Sequence, residues 1–544
     1  MDRRKFIRNM SLAGTGGIVL GGVPVNLLAG NSNLQALLAA NPGDQVMIFV
    51  QLHGGNDGLN TIVPLNQYNE YYTLRPNIAL PQSGSRKIIN LDSALTDEKQ
   101  VGVHPDMLAF KQMYDDGSAS VVLNVGYESM NLSHFRGRDI LFMGGDSGDY
   151  YNSGWMGRFL NIEYPGYPDS YPNTEMPDPI GIELGHSASI AFHRENGIPI
   201  GFSIDEPDNF YKLITGVGID PPLLYPDSHA GEEYRFLTQM EAKSNQYAER
   251  LKQLYDKGKN TASVVYPDLY PYNAPERFLH NPLTGQLRLI ARLLNGGIKT
   301  RIFLCRIGGF DTHSGQVEKY DTSMGAHGAL LYHLTSAMKA FYDDLKAMSL
   351  DSKVVSLTFT EFGRRAHSNA SYGTDHGTAT PILLFGSSLK GGVSGNNPNL
   401  SNLDGGNLRY DVDYRRLYTT LLSDWMGASN DTLNKVGFGD YVGQKLDLLT
   451  GIKDSRLGAN YGINVFPNPA SEKVSLRINV NSNTKAALTL SNTSGQIVLT
   501  RDFMLNSGEQ LLEVNVSNLS GGIYLITISA FNGDVYSSKL EVRK

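Results

Sequence analysis

Acidic and imidazole side chains occur in short glycine-containing segments at several places in this 544-residue chain. They are Asp57, Asp311, His313, Asp375 and His376. Carboxylate oxygens and imidazole nitrogens are the ligands that bind zinc, manganese and related divalent ions. Carboxylates that come together repel each other unless a cation or a proton lies between them. These residues therefore predict a site for a divalent metal ion, zinc, manganese or calcium, unless they serve only as turn formers and helix caps.

A serine and two arginines have side chains suited to an anion beside such a metal. Ser133 precedes a segment that favours a helix, and a serine at a helix N-terminus next to a metal is placed to attack an anionic ester. The alternative is that Ser133 is an ordinary helix N-cap. Arg136 and Arg364 predict a clamp for a tetrahedral oxyanion, because a guanidinium group binds such a group through two parallel hydrogen bonds. The alternative for each arginine is an ordinary surface position.

Continuous apolar runs predict the five buried strands that would position these side chains. The runs are 46–52, 119–125, 301–307, 354–360 and 381–385. Strands that lack polar alternation favour a parallel sheet covered on both faces. An apolar stripe at helical spacing from Leu330 to Leu345 predicts one of the covering helices. The sequence thus predicts an α/β fold with a doubly wound, mainly parallel sheet.

The candidate residues lie next to the ends of these predicted strands. Asp57 follows the first strand, Ser133 the second, Asp311 the third and Glu361 the fourth, while His376 comes just before the fifth. Ligands of open α/β sheets bind beyond the carboxyl ends of the strands. We therefore expect one edge of the sheet to carry the functional site.

Composition excludes several classes of protein. Hydrophobic residues make up 41% and charged residues 19% of the chain, which are values typical of a folded globular protein. The formal net charge of −7 and the lack of a long basic run argue against nucleic-acid binding. Cys305 is the one cysteine in the sequence, so an intrachain disulfide and a thiolate metal cluster are both excluded.

The N-terminus has the pattern of an export signal. Arg3 and Arg4 are followed by Phe6 and Ile7 and then by a weakly apolar, glycine-rich stretch, which resembles a twin-arginine signal. The alternatives are a general secretory signal or an N-terminal anchor. The resemblance implies the twin-arginine translocase as a partner. No other segment approaches the length of a membrane span, so no permanent span is expected.

The C-terminus predicts a small all-β sandwich. From residue 463 onward, short runs alternate between apolar and polar residues and are separated by Asn, Gly and Ser. The phrases Val465-Phe-Pro-Asn-Pro469, Leu519-Ser-Gly-Gly-Ile-Tyr-Leu525 and Lys539-Leu-Glu-Val-Arg-Lys544 resemble the C-terminal sorting domain of the type IX secretion system. The alternative is a generic adhesion or carbohydrate-binding sandwich. The resemblance implies the type IX machinery as a partner, and a protein that crosses the periplasm to be secreted or held at the cell surface.

These features divide the chain into three segments. Residues 1–40 are the expected signal and linker, residues 41–455 the α/β domain, and residues 456–544 the sorting sandwich.

Motifs in the middle segment resemble a widespread family of twin-arginine-exported bacterial proteins, domain of unknown function 1501. The motifs are His53-Gly-Gly-Asn-Asp57, Ser133-His-Phe-Arg136, Gly154-Trp-Met-Gly-Arg158, Gly309-Phe-Asp-Thr-His313, Glu361-Phe-Gly-Arg364 and Gly373-Thr-Asp-His-Gly377. That family looks like a distant branch of the alkaline phosphatase and sulfatase superfamily. The resemblance implies an alkaline phosphatase-like fold.

By position, the resemblance also implies metal ligands. Asp57, Ser133, Asp375 and His376 would hold one metal, and Asp311 and His313 would contribute to a second. The two residues of the second pair are closer in sequence than in alkaline phosphatases, and no histidine follows His376. A second metal would then need Glu361, His53 or His134, or would be absent.

Two functions follow from these patterns. The first is an exported metal-dependent hydrolase of phosphate or sulfate esters, on a small-molecule or glycan substrate. The alternative is a catalytically inactive surface protein that handles polysaccharide through tyrosines of the stretch from Tyr150 to Tyr272. A metallopeptidase would need a His-Glu-x-x-His helix, which the sequence lacks.

Overall fold

The structure of the protein is a computed structural model. It describes residues 44–185, 189–204, 246–450, 464–480, 483–492, 496–530 and 535–544, together with the residue pairs 19–20 and 23–24. The rest of the predicted signal, and part of the tyrosine-rich stretch, lie outside the described residues. The chain forms two compact units, of which the larger spans Asp44–Thr450 and the other contains the C-terminal strands.

A mixed sheet, mainly parallel, runs through the larger unit. Among the described residues its spatial order is β11–β5–β10–β9–β1–β8–β6–β7, and β12 also pairs with β5. The strands are β1 Val46–His53, β5 Ala119–Gly126, β6 Gly181–Leu184, β7 Phe202–Ile204, β8 Ile302–Gly308, β9 Val354–Phe359, β10 Thr380–Phe385, β11 Gly392–Ser394 and β12 Val412–Asp413. A separate small antiparallel sheet consists of β2 Ile62–Pro64, β3 Ile89–Asn90 and β4 Val101–Val103. The five strands predicted from apolar runs are all present, with ends that differ by one residue.

Helices cover both faces of the central sheet, as predicted. They are α1 Gly58–Thr61, α2 Tyr68–Leu74, α3 Leu108–Asp115, α4 His134–Met143, α5 Trp155–Glu163, α6 Thr284–Gly296, α7 Ala326–Ala347, α8 Tyr414–Thr420 and α9 Asn430–Val436, and residues 246–257 are also helical. On one face, Ile48 and Val50 of β1 belong to the same buried cluster as side chains of α3, α6 and α7. On the other face, the ring of Phe49 lies 5.3 Å from that of Trp155 in α5 and 5.8 Å from that of Tyr418 in α8.

One strand runs against the others, and this decides where its flanking residues lie. β10 is antiparallel to both of its neighbours, β9 and β5, whereas β9, β1 and β8 are parallel to one another. Thr380 at the start of β10 pairs with Val125 near the end of β5. The segment before β10 therefore meets the segments that follow β1, β5, β8 and β9, which is the single edge that the sequence predicted.

The C-terminal unit is an all-β sandwich. Its strands are β13 Asn464–Phe466, β14 Lys473–Val480, β15 Thr484–Asn492, β16 Ile497–Leu505, β17 Gly508–Asn515, β18 Gly522–Ala530 and β19 Val535–Val542. They form two antiparallel sheets, in the orders β13–β14–β17 and β16–β15–β18–β19. Leu476 from one sheet, and Leu488 and Ile526 from the other, lie in one buried cluster. The predicted sandwich is confirmed.

Within the described part of the chain, no helix is long and apolar enough to cross a membrane.

Candidate metal centre

Three side chains converge at the predicted edge of the central sheet. His134 is the first residue of α4, Asp311 follows β8 and His376 precedes β10. Asp311 Oδ2 lies 3.5 Å from His134 Nε2, and Asp311 Oδ1 lies 3.6 Å from His376 Nε2. One ligand atom from each residue lies within 4.8 Å of the other two. Two imidazoles and a carboxylate at these distances have the spacing of a metal-binding group.

Asp311 is the hub of this group. Its Oδ1 accepts a hydrogen bond of 2.7 Å from Arg364 Nη2 and lies 2.6 Å from His313 Nδ1. Burial acts to raise the pKa of Asp311, but the guanidinium of Arg364, with His313 and His134, outweighs it and lowers the pKa to about 2. The carboxylate is therefore ionised at neutral pH and available as a ligand. About half of its side-chain surface, 48%, is exposed, so the group opens toward solvent.

A second carboxylate, that of Glu361, lies behind the group and is fully buried. Its oxygens accept hydrogen bonds from the backbone N–H groups of Gly54, at 3.0 and 3.1 Å, and of Gly55, at 3.3 Å. Its Oε1 lies 2.6 Å from His53 Nδ1 and 3.9 Å from His134 Nδ1. Glu361 thus contacts His53 closely and places a negative charge near His134.

Electrostatic interactions shift the pKa values of Glu361 and of the histidines near it. Burial acts to raise the pKa of Glu361, but the imidazoles of His134 and His53 outweigh it, and the pKa stays below its ordinary value. The carboxylate of Glu361 raises the pKa of His134. Burial lowers the pKa of His376, and Arg364 acts in the same direction. At neutral pH, His376 therefore carries a free nitrogen lone pair.

Phe362 packs against the two imidazoles of the group. Its ring centroid lies 4.9 Å from that of His134 and 4.4 Å from that of His376, and its side chain is fully buried. The two imidazole centroids are 4.4 Å apart. An apolar wall of this kind restricts the rotation of both rings.

Arg364, predicted as an oxyanion clamp, lies in a buried position beneath the group. Its Nε donates to Gly55 O at 2.8 Å, its Nη1 to Thr374 O at 2.9 Å, and its Nη2 to Phe310 O at 3.1 Å and to Gly54 O. Its side chain has no exposed surface. In this structure Arg364 ties together the loops that follow β1 and β8 and the segment before β10.

Asp57 is not a member of the three-residue group. Its oxygens accept hydrogen bonds of 2.9 and 2.7 Å from Arg75 Nη1 and of 2.6 Å from Gln316 Nε2. Both charged side chains are buried, with 1% or less of their surface exposed. Burial acts to raise the pKa of Asp57, but Arg75 outweighs it and lowers the pKa. The carboxylate is thus fully engaged with protein donors.

The remaining predicted residues surround the group. Asp375 is exposed, and its Oδ1 accepts a hydrogen bond of 3.1 Å from Asn369. His313 lies beside Asp311, with its ring 4.5 Å from that of His376. Ser133 is the exposed N-cap residue of α4, and its side chain makes no capping hydrogen bond. Arg136 donates to the backbone carbonyls of Ser147 and Asp149 and stacks 3.8 Å from the ring of Tyr150.

The structure therefore brings Asp311, His313, Glu361 and His376 together and places Asp57 and Asp375 with other partners. His134 was one of three options for a second metal in the sequence, and the structure makes it a member of the main group. The signal for it was its position directly after Ser133 at a predicted helix start. Phe362 and Arg75 were not singled out by the sequence, since their types and spacing are those of ordinary core and surface residues.

Two segments of the chain match known protein families. Residues 230–432 match the family described as Protein of unknown function (DUF1501). Residues 464–543 match the secretion system C-terminal sorting domain. The sorting domain indicates secretion or export to the cell surface, and it implies the type IX secretion machinery as a partner. No curated protein matches the chain.

Three solved structures illustrate the similarity of the chain to known proteins. One is a protein in the alkaline phosphatase superfamily from Vibrio parahaemolyticus, 11% identical, with 87% of this chain and 81% of that chain covered and a TM-score of 0.28. A sulfatase from Pseudoalteromonas sp. is 11% identical, with 91% and 88% covered and a TM-score of 0.29. The alkaline phosphatase from the Antarctic bacterium TAB5 is 9% identical, with 66% and 96% covered and a TM-score of 0.26.

Proposed function

We propose that the protein is an exported, metal-dependent hydrolase of phosphate or sulfate esters that acts at the cell surface or outside the cell. The observation that carries the proposal is the convergence of His134, Asp311 and His376 at the solvent-open edge of the sheet. The sorting domain at residues 464–543 supports the place of action.

The donor set fits a divalent metal. His376 Nδ1 donates to the carbonyl of Leu132 at 2.8 Å, which leaves His376 Nε2 as the unprotonated nitrogen. That Nε2 atom is buried and has no hydrogen-bond partner among the described residues, although it points toward Asp311. Two imidazoles and one carboxylate are the protein ligands of many catalytic zinc sites, which keep a further position open. The backbone carbonyl of Leu132 orients the ring of His376, as ligand-supporting groups do, and the carboxylate of Glu361 lies 3.9 Å from His134 Nδ1.

Ser133 is the residue we propose as the nucleophile. It immediately precedes His134, and its neighbour Leu132 supplies the carbonyl that holds His376, so both sides of Ser133 are tied to the group. Its position at the N-terminus of α4 favours the approach of an anion. A divalent ion in the group would supply a Lewis acid that neutralises charge on the ester oxygens and lowers the pKa of a nearby hydroxyl.

Metal content is the first test. The full chain, purified without chelator, should carry a divalent metal in near-stoichiometric amount by elemental analysis, and His376→Ala or His134→Ala should lose it. The matched control is His280→Ala, which removes an exposed histidine that lies 3.1 Å from Asp268. Asp57→Asn and Asp375→Ala should retain the metal, because the structure gives these carboxylates other partners. Loss of metal in Asp57→Asn with the fold intact would return Asp57 to the ligand set.

Turnover is the second test. A panel of phosphate and sulfate esters should show hydrolysis by the metal-loaded protein, and Ser133→Ala should lower kcat by at least about a thousandfold without loss of metal. Ser401→Ala, at another exposed serine, is the control. Unchanged turnover in Ser133→Ala would remove Ser133 from the mechanism. Bound metal without hydrolysis of either ester class would favour the inactive surface-binding protein.

A further inference from the structure

Two loops each supply a residue of the candidate metal centre, and a buried glutamine lies where these loops meet. Asp311 belongs to the loop that follows β8, and His376 belongs to the segment between β9 and β10. Gln316 lies in the same loop as Asp311 and has no exposed surface. Because Asp311 Oδ1 lies 3.6 Å from His376 Nε2, the relative position of the two loops decides whether one ion can contact both residues.

The backbones of the two loops are in close contact next to these residues. The backbone N–H of Thr374 donates to Thr312 O at 3.1 Å. A Cβ atom on Gly373 would lie only 2.4 Å from the same oxygen, so a glycine is needed for this approach. Thr312 directly follows Asp311, and Thr374 comes two residues before His376. A change in the contact between the threonines is therefore passed to the two side chains of the centre.

The side chain of Gln316 joins the two loops through a single oxygen atom. Its Oε1 accepts a hydrogen bond of 3.0 Å from Thr312 Oγ1 and another of 3.0 Å from Thr374 Oγ1. Its Nε2 donates to Asp57 Oδ2 at 2.6 Å. Two donors at one end and a carboxylate at the other match an amide, which both accepts and donates. Both threonines are buried, so separation of the loops would leave polar atoms unsatisfied, which is costly.

The far end of this network is anchored by the buried ion pair of Asp57 with Arg75. Beside its contact with Asp57, Arg75 donates through Nη2 to Arg365 O at 2.8 Å and through Nε to Ala366 O at 3.0 Å. Both carbonyls lie in the segment between β9 and β10. The amide of Gln316 is therefore held in one orientation by partners in the loop after β1 and in both loops that carry the centre.

We propose that Gln316 is a positioning residue for the candidate metal centre, which sets the separation of Asp311 and His376 by holding their loops together. It acts through the hydroxyls of Thr312 and Thr374. The inference rests on the proposed function, because it requires a metal at the centre. Residues that support metal ligands in this way change the metal affinity by about ten- to a hundredfold when they are replaced.

Zinc binding to the metal-free full chain, measured by competition with a chromophoric chelator, tests this role. Gln316→Met keeps a side chain of similar length and removes all three hydrogen bonds. It should weaken zinc binding by about ten- to a hundredfold. Thr374→Val removes only one of the hydroxyl donors and should weaken zinc binding by about two- to tenfold, the range for one hydrogen bond. This milder variant carries the test if Gln316→Met does not fold.

Gln286→Met is the matched control for the loss of a buried glutamine. Gln286 is 4% exposed, donates to Pro282 O at 2.9 Å and to Arg306 O at 2.7 Å, and accepts from Arg306 N at 2.9 Å. It thus also makes three hydrogen bonds, but it joins α6 to β8 and contacts neither loop of the centre. Urea unfolding of the metal-free variants should show similar losses of stability for the two glutamines, with zinc affinity unchanged in Gln286→Met.

An exchange of the amide and the carboxylate provides a rescue. Gln316→Glu combined with Asp57→Asn keeps the net charge, an acceptor for the two hydroxyls and a hydrogen bond between positions 57 and 316. This double variant should recover most of the zinc affinity that Gln316→Met loses. A double variant as weak as Gln316→Met would show that the hydrogen-bonded link is not what positions the loops.

The outcomes separate this inference from the proposed function. Zinc affinity that is unchanged in Gln316→Met, or in Thr374→Val if the former does not fold, overturns the positioning role and leaves the metal centre intact. Equal weakening in Gln316→Met and Gln286→Met assigns the effect to general loss of stability and also overturns it. A parent chain that binds zinc no better than His376→Ala contradicts the proposed metal centre itself, and this inference with it.

Discussion

The negative charges of the buried carboxylates in this protein are balanced by different neighbouring groups. These neighbours determine the role of each carboxylate. Glu361 is balanced by two imidazoles and two backbone N–H groups, so its charge acts on the candidate metal centre. Asp57 is balanced by Arg75 and Gln316, which use both of its oxygens. A buried ion pair is costly to break, because removal of one partner leaves the other charge without compensation. Asp57 therefore stabilises the fold through its buried ion pair, whereas Glu361 acts on the histidines of the candidate metal centre.

At Glu183 the effect of burial on the pKa outweighs that of the neighbouring charges, and this predicts a pH dependence of stability. Burial raises its pKa to about 7, while Arg138 on α4 and Arg306 on β8 act in the opposite direction. The folded chain then binds a proton more tightly than the unfolded chain, whose glutamate has the ordinary pKa of 4.5. Stability is therefore lost as pH rises from about 4.5 to about 7, by about 3 kcal/mol in total.

Glu183→Gln should remove this loss. The free energy of unfolding of the variant, from urea titrations, should exceed that of the parent by an amount that grows between pH 5 and pH 7 and is constant above. The amide oxygen of the substituted side chain can still accept the 2.9 Å hydrogen bond that Glu183 accepts from the Ser189 backbone. Glu98→Gln, at an exposed glutamate, is the control and should change stability by less than about 0.5 kcal/mol at every pH. A difference that does not vary with pH would show that Glu183 is ionised like an exposed residue.

Contacts between loops determine how the candidate site is assembled. The loop after β1 passes so close to the loop after β8 that a Cβ atom on Gly54 would lie 2.2 Å from the backbone nitrogen of Asp311. Gly54 also has a φ of +123°, a conformation that side chains other than glycine rarely adopt. The backbone of Gly54 donates to Glu361 and accepts from Arg364. One glycine therefore sets the distance between the strand ends.

Gly54→Ala and Gly84→Ala form a matched pair that isolates this contact. Both positions have positive φ, but an added Cβ on Gly84 meets nothing within 4 Å. Gly84→Ala should cost only the backbone strain, about 1–3 kcal/mol. Gly54→Ala should cost about 1–3 kcal/mol more, because the loop of Asp311 has to move, and it should lower the metal content. Equal losses of unfolding free energy in chemical denaturation, with metal content unchanged, would show that the loops can separate without consequence.

The elements were easier to predict from the sequence than their contacts. The five central strands are continuous apolar runs, and burial on both faces of a sheet leaves few other structures for such runs. The edge of the sheet followed from the positions of polar residues at strand ends. The partners of individual side chains did not follow, because pairs such as Asp57 with Arg75, or Arg364 with the carbonyl of Gly54, depend on loop paths. Asp57 and Asp311 look alike in sequence, and each has an arginine beside it, but only the three-dimensional path places the imidazoles of His134 and His376 next to Asp311.

At the scale of the whole molecule, the chain combines a larger unit that contains the candidate metal centre with a C-terminal unit that matches a sorting domain. The core of the larger unit is built from its own strands and helices, and the sandwich has a separate core of its own. Residues 464–543 match the sorting domain, while the predicted twin-arginine signal precedes the described residues of the larger unit. Twin-arginine export carries folded proteins, so a chain with the predicted signal would be able to bind the proposed metal before export. The two predicted transport steps are therefore separable by changes at opposite ends of the chain.

Deletion of residues 464–543 should stop the protein after the first transport step. In a bacterium with a type IX secretion system, the shortened chain should accumulate in the periplasm, since the predicted signal is intact and the sorting domain is absent. Its metal content should equal that of the full chain, because every residue of the candidate centre lies in the larger unit. The comparison is Arg3→Lys with Arg4→Lys, which keeps the charge and should hold the full chain in the cytoplasm if the signal is of the twin-arginine type. Fractionation of cells followed by immunoblotting measures both, and a shortened chain that still reaches the medium or the outer surface would show that export does not depend on the sandwich.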